Sequence, residues 1–232
     1  MSTIIDADAV KLAGLQIDLL QKMRQGHVTL SHFEWFVGLS KDARDRFMTV
    51  GGGQLAMNSI LEFISTVIVP ATTCTFVARE EFVRDTSENA EVSIRYLGDN
   101  FTEWFLKGNG KIENAMAEQV LRYAKLQKPS VDGPIIAELG GEATAEMSLT
   151  TMFSLMREQG HGQPGVLLNN GYINIFYIRD TGGVLRTVIA HWLDGGWLVH
   201  AGSVEHPLRW RGSGQVFSRN FVLDFLATVP VQ

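Results

Sequence analysis

Alternation of apolar and polar side chains is clearest in the last quarter of the chain. Three runs there are rich in strand-forming residues: Tyr172–Arg179, Val184–Trp192 and Trp197–Gly202. The turns between them carry Gly182-Gly183 and Asp194-Gly195, residue types suited to the positive φ that tight hairpins need. The pattern predicts an antiparallel three-stranded meander from Gly171 to about Gly202, with a fourth strand expected at Gln215–Ser218.

The first 50 residues show the three- and four-residue apolar spacing of helices. The run Asp6–Arg24 is amphipathic, and Thr29 and Ser40 are suited to cap two shorter helices. Three consecutive glycines, Gly51 to Gly53, then interrupt the helical pattern. We therefore expect a helical N-terminal segment over residues 1–50 and an α+β domain over 51–232, with one continuous domain over 1–232 as the alternative.

The middle of the chain mixes helical and extended patterns. Two segments are predicted helices, Gln54–Thr66 and Ala143–Gln159, and three are predicted extended, Thr72–Val77, Glu91–Tyr96 and Pro134–Leu139. The resulting fold class is α+β, with an antiparallel sheet that includes the C-terminal meander of three to four strands.

Composition narrows the classes of function. The 232 residues carry a net charge of −5, so the overall charge does not favour a nucleic-acid partner. Cys74 is the single cysteine, so no intramolecular disulfide can form, and its apolar surroundings predict a buried thiol. The most apolar run, Ile60–Val69, is too short to span a membrane, and the N-terminus lacks a signal-peptide pattern. We expect a cytoplasmic protein that does not enter the membrane.

Two histidines form the first candidate site. If Asp194-Gly195 is a two-residue turn, Trp192 lies opposite Trp197 and Ile189 opposite His200. His191 and His200 then lie diagonally on one face of the sheet, where they could act as an acid–base pair. A metal site needs a third ligand, and no compelling one is found, so neither a metal nor a cofactor is predicted.

The second candidate site is the loop Arg209-Trp210-Arg211, with Arg219 further along the chain. Guanidinium groups beside an aromatic ring can hold a phosphate, a carboxylate or a nucleobase. The alternative is that Trp210 covers the edge of the sheet while the arginines remain solvated.

Five stretches together carry a resemblance to a known group of sequences: Val83–Ala90, Tyr96–Phe101, Asp132–Gly140, Gly171–Asp180 and Gln215–Asn220. They resemble hypothetical proteins frequent in candidate-phyla (Patescibacteria) bacteria, over roughly His27 to Asn220. The resemblance implies a bacterial, cytoplasmic protein. No activity is established for that group, so the resemblance implies no catalytic or binding residue.

These observations favour a non-enzymatic binding or protein-interaction protein, because no strong catalytic motif accompanies the many aromatic residues. Its partner would be a protein, a second copy of the chain, or a small anionic ligand. An enzyme that uses His191 and His200 is the first alternative. Anion or nucleic-acid binding through Arg209 and Arg211 is the second.

Overall fold

A mixed eight-stranded sheet organises the part of the chain that the computed structural model describes, residues 59–205 and 209–219. Its strands are β1 (Leu61–Val69), β3 (Ile94–Leu97), β5 (Gln119–Leu126), β6 (Glu146–Met147), β7 (Asn174–Arg179), β8 (Leu185–Leu193), β9 (Gly196–Ser203) and β10 (Gln215–Arg219). The order is β1-β5-β10-β7-β8-β9-β3, and β6 pairs with part of β7. The short strands β2 (Phe76–Val77) and β4 (Ile112–Glu113) pair separately.

The predicted meander is confirmed, since β7, β8 and β9 pair in sequence order and antiparallel. The structure is broadly compatible with the predicted α+β class, but the sheet expected to be antiparallel is mixed, because β10 with β7, β3 with β9 and β6 with β7 are parallel pairs. β10 exists as predicted, but it lies between β5 and β7 rather than beyond β9. Strands distant in sequence therefore complete the sheet on both sides of the meander.

Within residues 59–205 and 209–219, five short helices accompany the strands: α1 (Ala78–Glu81), α2 (Asp99–Phe101), α3 (Asp132–Glu138), α4 (Glu142–Ala145) and α5 (Leu149–Glu158). A π-helical turn, Thr102–Leu106, continues α2. The predicted strand Pro134–Leu139 is wrong, because Pro134 lies in the first turn of α3, where its missing N–H costs nothing. The predicted helix Ala143–Gln159 is interrupted by β6. α5 then begins after Ser148, whose hydroxyl accepts from the Thr151 N–H.

The prediction of a helix over Gln54–Thr66 is wrong where the structure describes it, because Leu61 to Thr66 belong to β1. Ile64, Thr66 and Val67 are β-branched and favour a strand, which outweighs the apolar spacing. The helical segment predicted for residues 1–50, and the boundary after it, lie outside the described residues.

Two apolar cores cover the two faces of the sheet. On the first face, α1, the π-helical turn and α5 pack on residues such as Phe176, Val188 and Trp197. On the second face, α3 and α4 pack on residues such as Ile175 and Tyr177. The second core stops part-way across β8 and β9, where side chains become half-exposed.

Candidate functional site

The β8–β9 hairpin places the two predicted histidines. Asp194 and Gly195 form its turn with φ of 50° and 83°, the left-handed values that a two-residue turn requires. Trp192 pairs with Trp197 and Ile189 with His200, which is the register predicted from the sequence. His191 and His200 consequently share the second face of the sheet, in its half-exposed part.

The two imidazole rings lie close together. Their centroids are 5.8 Å apart and their planes differ by 1°. Tyr96 of β3 lies on the same face, with its ring centroid 5.2 Å from that of His200. On the other side of His200, Nδ1 lies against Gly98, where an added Cβ would approach it to 3.0 Å. The three rings form a group that we call the His–Tyr cluster: Tyr96, His191 and His200.

Sequence reasoning missed Tyr96. Regular alternation along the extended segment predicted over Glu91–Tyr96 would place Tyr96 on the same face as Ile94, but the register shifts between them. Ile94 therefore pairs with Trp197 in the first core, whereas Tyr96 pairs with Leu198 on the opposite face. The parallel pairing of β3 with β9 joins segments about 100 residues apart, and no local sequence pattern predicts it.

Electrostatics favours neutral rings in this cluster. Burial lowers the pKa of His191, and the neighbouring His200 lowers it further. Burial also lowers the pKa of His200. The Nδ1 atom of His191 is buried and has no hydrogen-bond partner among the described residues. Within that part of the chain, no third His, Cys, Asp or Glu joins the pair. The pair therefore lacks the carboxylate that commonly orients a catalytic histidine.

The predicted arginine loop is arranged differently from an aromatic binding site. Trp210 is buried, its indole Nε1–H donates to Asp132 Oδ1 at 2.7 Å, and its backbone pairs with Ser130. Arg209 and Arg211 are exposed on either side of it. Arg219 lies at the far end of β10 from the loop. The structure does not bring the arginines together around a free ring.

Asp132, which the sequence pattern did not single out, anchors Trp210. The buried Tyr177 hydroxyl also donates to Asp132 Oδ1, at 3.0 Å, while Oδ2 has no hydrogen-bond partner in the described chain. Burial raises the pKa of this carboxyl, and the hydrogen bonds from Trp210 and Tyr177 partly oppose the rise. The arrangement joins α3, β7 and the loop before β10, so its evident role is structural.

A cavity of about 260 Å³ lies beside the loop that follows β1. It is lined by residues 71–76, by Glu81 and by Thr150, Phe153, Ser154 and Arg157 of α5. The prediction of a buried Cys74 is wrong, because the thiol is exposed at this cavity. The loop preceding β2 adopts no strand over residues 70–75, which leaves Cys74 outside the core. The lining contains no histidine that could activate the thiol.

Three large apolar side chains of β1 are exposed. Phe63 is 52% exposed, Ile64 46% and Ile68 61%. β1 is the end strand of the sheet, and among the described strands it pairs only with β5. Its start is fixed by Glu138, whose carboxylate accepts from the backbone N–H groups of Ile60 and Leu61. We call this exposed side of the strand the β1 edge.

None of the described helices has the length and apolarity required to cross a membrane. Comparisons with protein-family models, with curated proteins and with solved structures find no match to the chain.

Proposed function

We propose that this chain is a non-enzymatic protein-interaction protein that associates through the β1 edge. The observation that carries the proposal is the exposure of Phe63, Ile64 and Ile68 on a nine-residue end strand. An end strand presents a row of backbone N–H and C=O groups to which another strand can add. Exposed apolar side chains beside that row would be buried by the same event, so the two contributions reinforce each other.

The β1 edge has few of the features that prevent strand addition. Leu61–Val69 contains no Lys, Arg or Pro, which are the usual residues that protect an edge. Its one charged residue, Glu62, accepts a hydrogen bond from Gln127. A single register shift between Phe63 and Ser65 is the remaining protection.

The partner to which β1 is complementary is a second copy of itself. Two identical strands related by a two-fold axis at Ser65 pair antiparallel over all nine residues. In this register Glu62 lies opposite Ile68, so the like charges stay apart. A register centred on Glu62 would place the two carboxylates opposite each other and would be disfavoured.

The expected association is weak. Pairing along a nine-residue strand buries less than the roughly 1,600 Å² of a standard stable interface, which places it among transient contacts. We therefore expect dissociation constants in the micromolar range. We place this association in the cytoplasm, as the sequence predicts.

Three observations favour binding over catalysis. The His–Tyr cluster has no described carboxylate partner. The cavity beside Cys74 has no histidine in its lining. The ring of Trp210 is buried between Asp132 and the sheet, away from the solvated arginines.

Sedimentation velocity of the full chain, over a range of concentrations, tests the proposal. The wild type should show a reversible monomer–dimer equilibrium. The double variant Ile64→Lys/Ile68→Lys should remain monomeric, because charged groups would replace two apolar side chains that each copy buries in the interface, and an exposed ion pair between the new lysine at position 68 and Glu62 of the other copy is worth only about 0–1 kcal/mol. The matched control is Val83→Lys/Leu193→Lys, which changes two other apolar residues that are about half exposed and should dimerise normally. A wild type that stays monomeric throughout the micromolar range, or a dimer unaffected by the β1 substitutions, would contradict the proposal.

A further inference from the structure

The His–Tyr cluster has no part in the association through β1, and its geometry points to a separate binding site. We propose that His191 and His200 form a two-histidine site for a divalent first-row transition-metal ion such as Cu²⁺ or Zn²⁺, with water in the remaining positions.

The distance between the rings suits one shared ion. An imidazole nitrogen lies about 2.0–2.1 Å from a bound Zn²⁺, which puts the ring centroid roughly 3.2 Å from the metal. Two imidazoles on one ion therefore have centroids at most about 6.4 Å apart. The observed separation of 5.8 Å falls within this limit. The ring planes are parallel within 1°, so metal binding requires rotation about the side-chain torsions to direct a nitrogen of each ring at the ion, while the hairpin register holds the two backbones in place.

The unpartnered nitrogen of His191 is the second observation. A buried polar atom without a partner costs free energy, and native structures contain few of them. His191 Nδ1 is such an atom within the described residues. A cation bound between the rings would be coordinated by ring nitrogens. It would give the buried His191 imidazole an interaction that the described protein atoms do not supply.

The protonation state of the pair is compatible with this role. A histidine binds a metal only as the neutral imidazole. Burial lowers the pKa of both rings, which favours this neutral form.

The order of affinities follows from the ligands. Sites built from imidazole bind Cu²⁺ more tightly than Zn²⁺, and hard ions such as Mg²⁺ prefer oxygen ligands. With two protein ligands and open positions, the site is expected to be weaker than a closed four-ligand site. Cu²⁺ and Zn²⁺ are therefore the appropriate probes, and Mg²⁺ is the negative control.

The full wild-type chain is titrated at pH 7.5 with Cu²⁺, Zn²⁺ and Mg²⁺ in separate experiments. NMR follows the side-chain nitrogens of the histidines in the titrations with the diamagnetic ions Zn²⁺ and Mg²⁺. Zn²⁺ should shift the His191 and His200 nitrogens together, with one ion per chain. Electron paramagnetic resonance of the Cu²⁺ complex should show two equivalent nitrogen ligands. Mg²⁺ should leave both rings unchanged.

Three variants locate the site. His191→Gln and His200→Gln should each weaken Cu²⁺ and Zn²⁺ binding by about tenfold or more. Even the loss of a residue that only hydrogen-bonds to a metal ligand lowers metal affinity by about 10–100-fold. His161→Gln is the matched control, because His161 is exposed and its Nε2 contacts the Ala90 carbonyl outside the cluster. Equal metal binding by wild type and both cluster variants, or Zn²⁺ shifts confined to other histidines, would overturn the proposal. The NMR result holds even where a glutamine variant folds poorly.

Discussion

β7 and β1 are two apolar strands of the same sheet with opposite environments. In β7, every residue from Asn174 to Ile178 is buried, and Phe176 stacks on Phe217 with ring centroids 4.7 Å apart. In β1, Phe63, Ile64 and Ile68 are about half exposed. The difference arises from position: β7 has neighbours on both edges and helices over both faces, whereas β1 is the end strand among those that the structure describes. An apolar strand sequence therefore indicates burial only after the topology is known.

This comparison also separates two uses of apolar residues. The apolar residues of β7 stabilise the fold of a single chain. Those of β1 contribute less to that fold and leave apolar area available for association. The substitutions below test whether the two strands differ in this way.

The largest effect is expected from Phe176→Ala. Removing a fully buried aromatic ring from the first core should lower the free energy of unfolding by about 3–5 kcal/mol, from lost burial and the remaining cavity. Phe63→Ala is the matched control and should cost only about 1 kcal/mol, mostly from its contact with the Arg122 guanidinium 4.8 Å above the ring. Urea denaturation measures both. Equal losses for the two substitutions would remove the distinction between the strands.

A smaller, pH-dependent effect is expected from Asp132→Asn beneath β7. Burial raises the pKa of the Asp132 carboxyl, so the folded state favours the protonated form. Its contribution to stability is therefore present at low pH and is lost as the pH rises through that raised pKa. An asparagine at this position stays neutral, and its side-chain oxygen still accepts from Tyr177 and Trp210. Its NH₂ group can donate to the neighbouring Thr187 hydroxyl, which has no hydrogen bond of normal geometry among the described residues.

The variant should consequently be more stable than the wild type by about 1 kcal/mol at pH 8, with the gain shrinking at pH 4. Thermal unfolding at the two pH values measures the difference. A variant that is less stable at pH 8, or a gain that does not change with pH, would show that Asp132 is held as a favourable carboxylate.

Local features of the hairpins were predictable from sequence. Asp194-Gly195 selects a two-residue turn, and that turn sets the register that brings His191 and His200 onto one face. The meander followed from the same glycine-rich turns. These predictions succeeded because the determinants of a hairpin lie within a few residues of its turn.

Other features depended on contacts that a local pattern does not contain. The parallel pairs and the position of β10 between β5 and β7 join distant segments. Short apolar runs also remained ambiguous between helix and strand: Pro134–Leu139 forms a helix and Leu61–Thr66 a strand, the reverse of both predictions. The exposure of Cys74 and of the β1 edge follows from this topology, so neither could be predicted from the apolar residues themselves.

Disulfide trapping of a Ser65→Cys variant tests the central claim, that two chains pair along β1, most directly. The background should carry Cys74→Ser, because Cys74 is exposed and is the only native cysteine. In the proposed dimer the two residues at position 65 lie opposite each other, with Cα atoms about 4.5–5.5 Å apart, which suits a disulfide. Position 68 is also exposed, but in an Ile68→Cys variant of the same background the two-fold axis separates the two copies of the cysteine by about 20 Å. Our account predicts rapid oxidation of the Ser65→Cys chain to a covalent dimer while the Ile68→Cys chain stays monomeric. Equal crosslinking of both variants, or of neither, would contradict it.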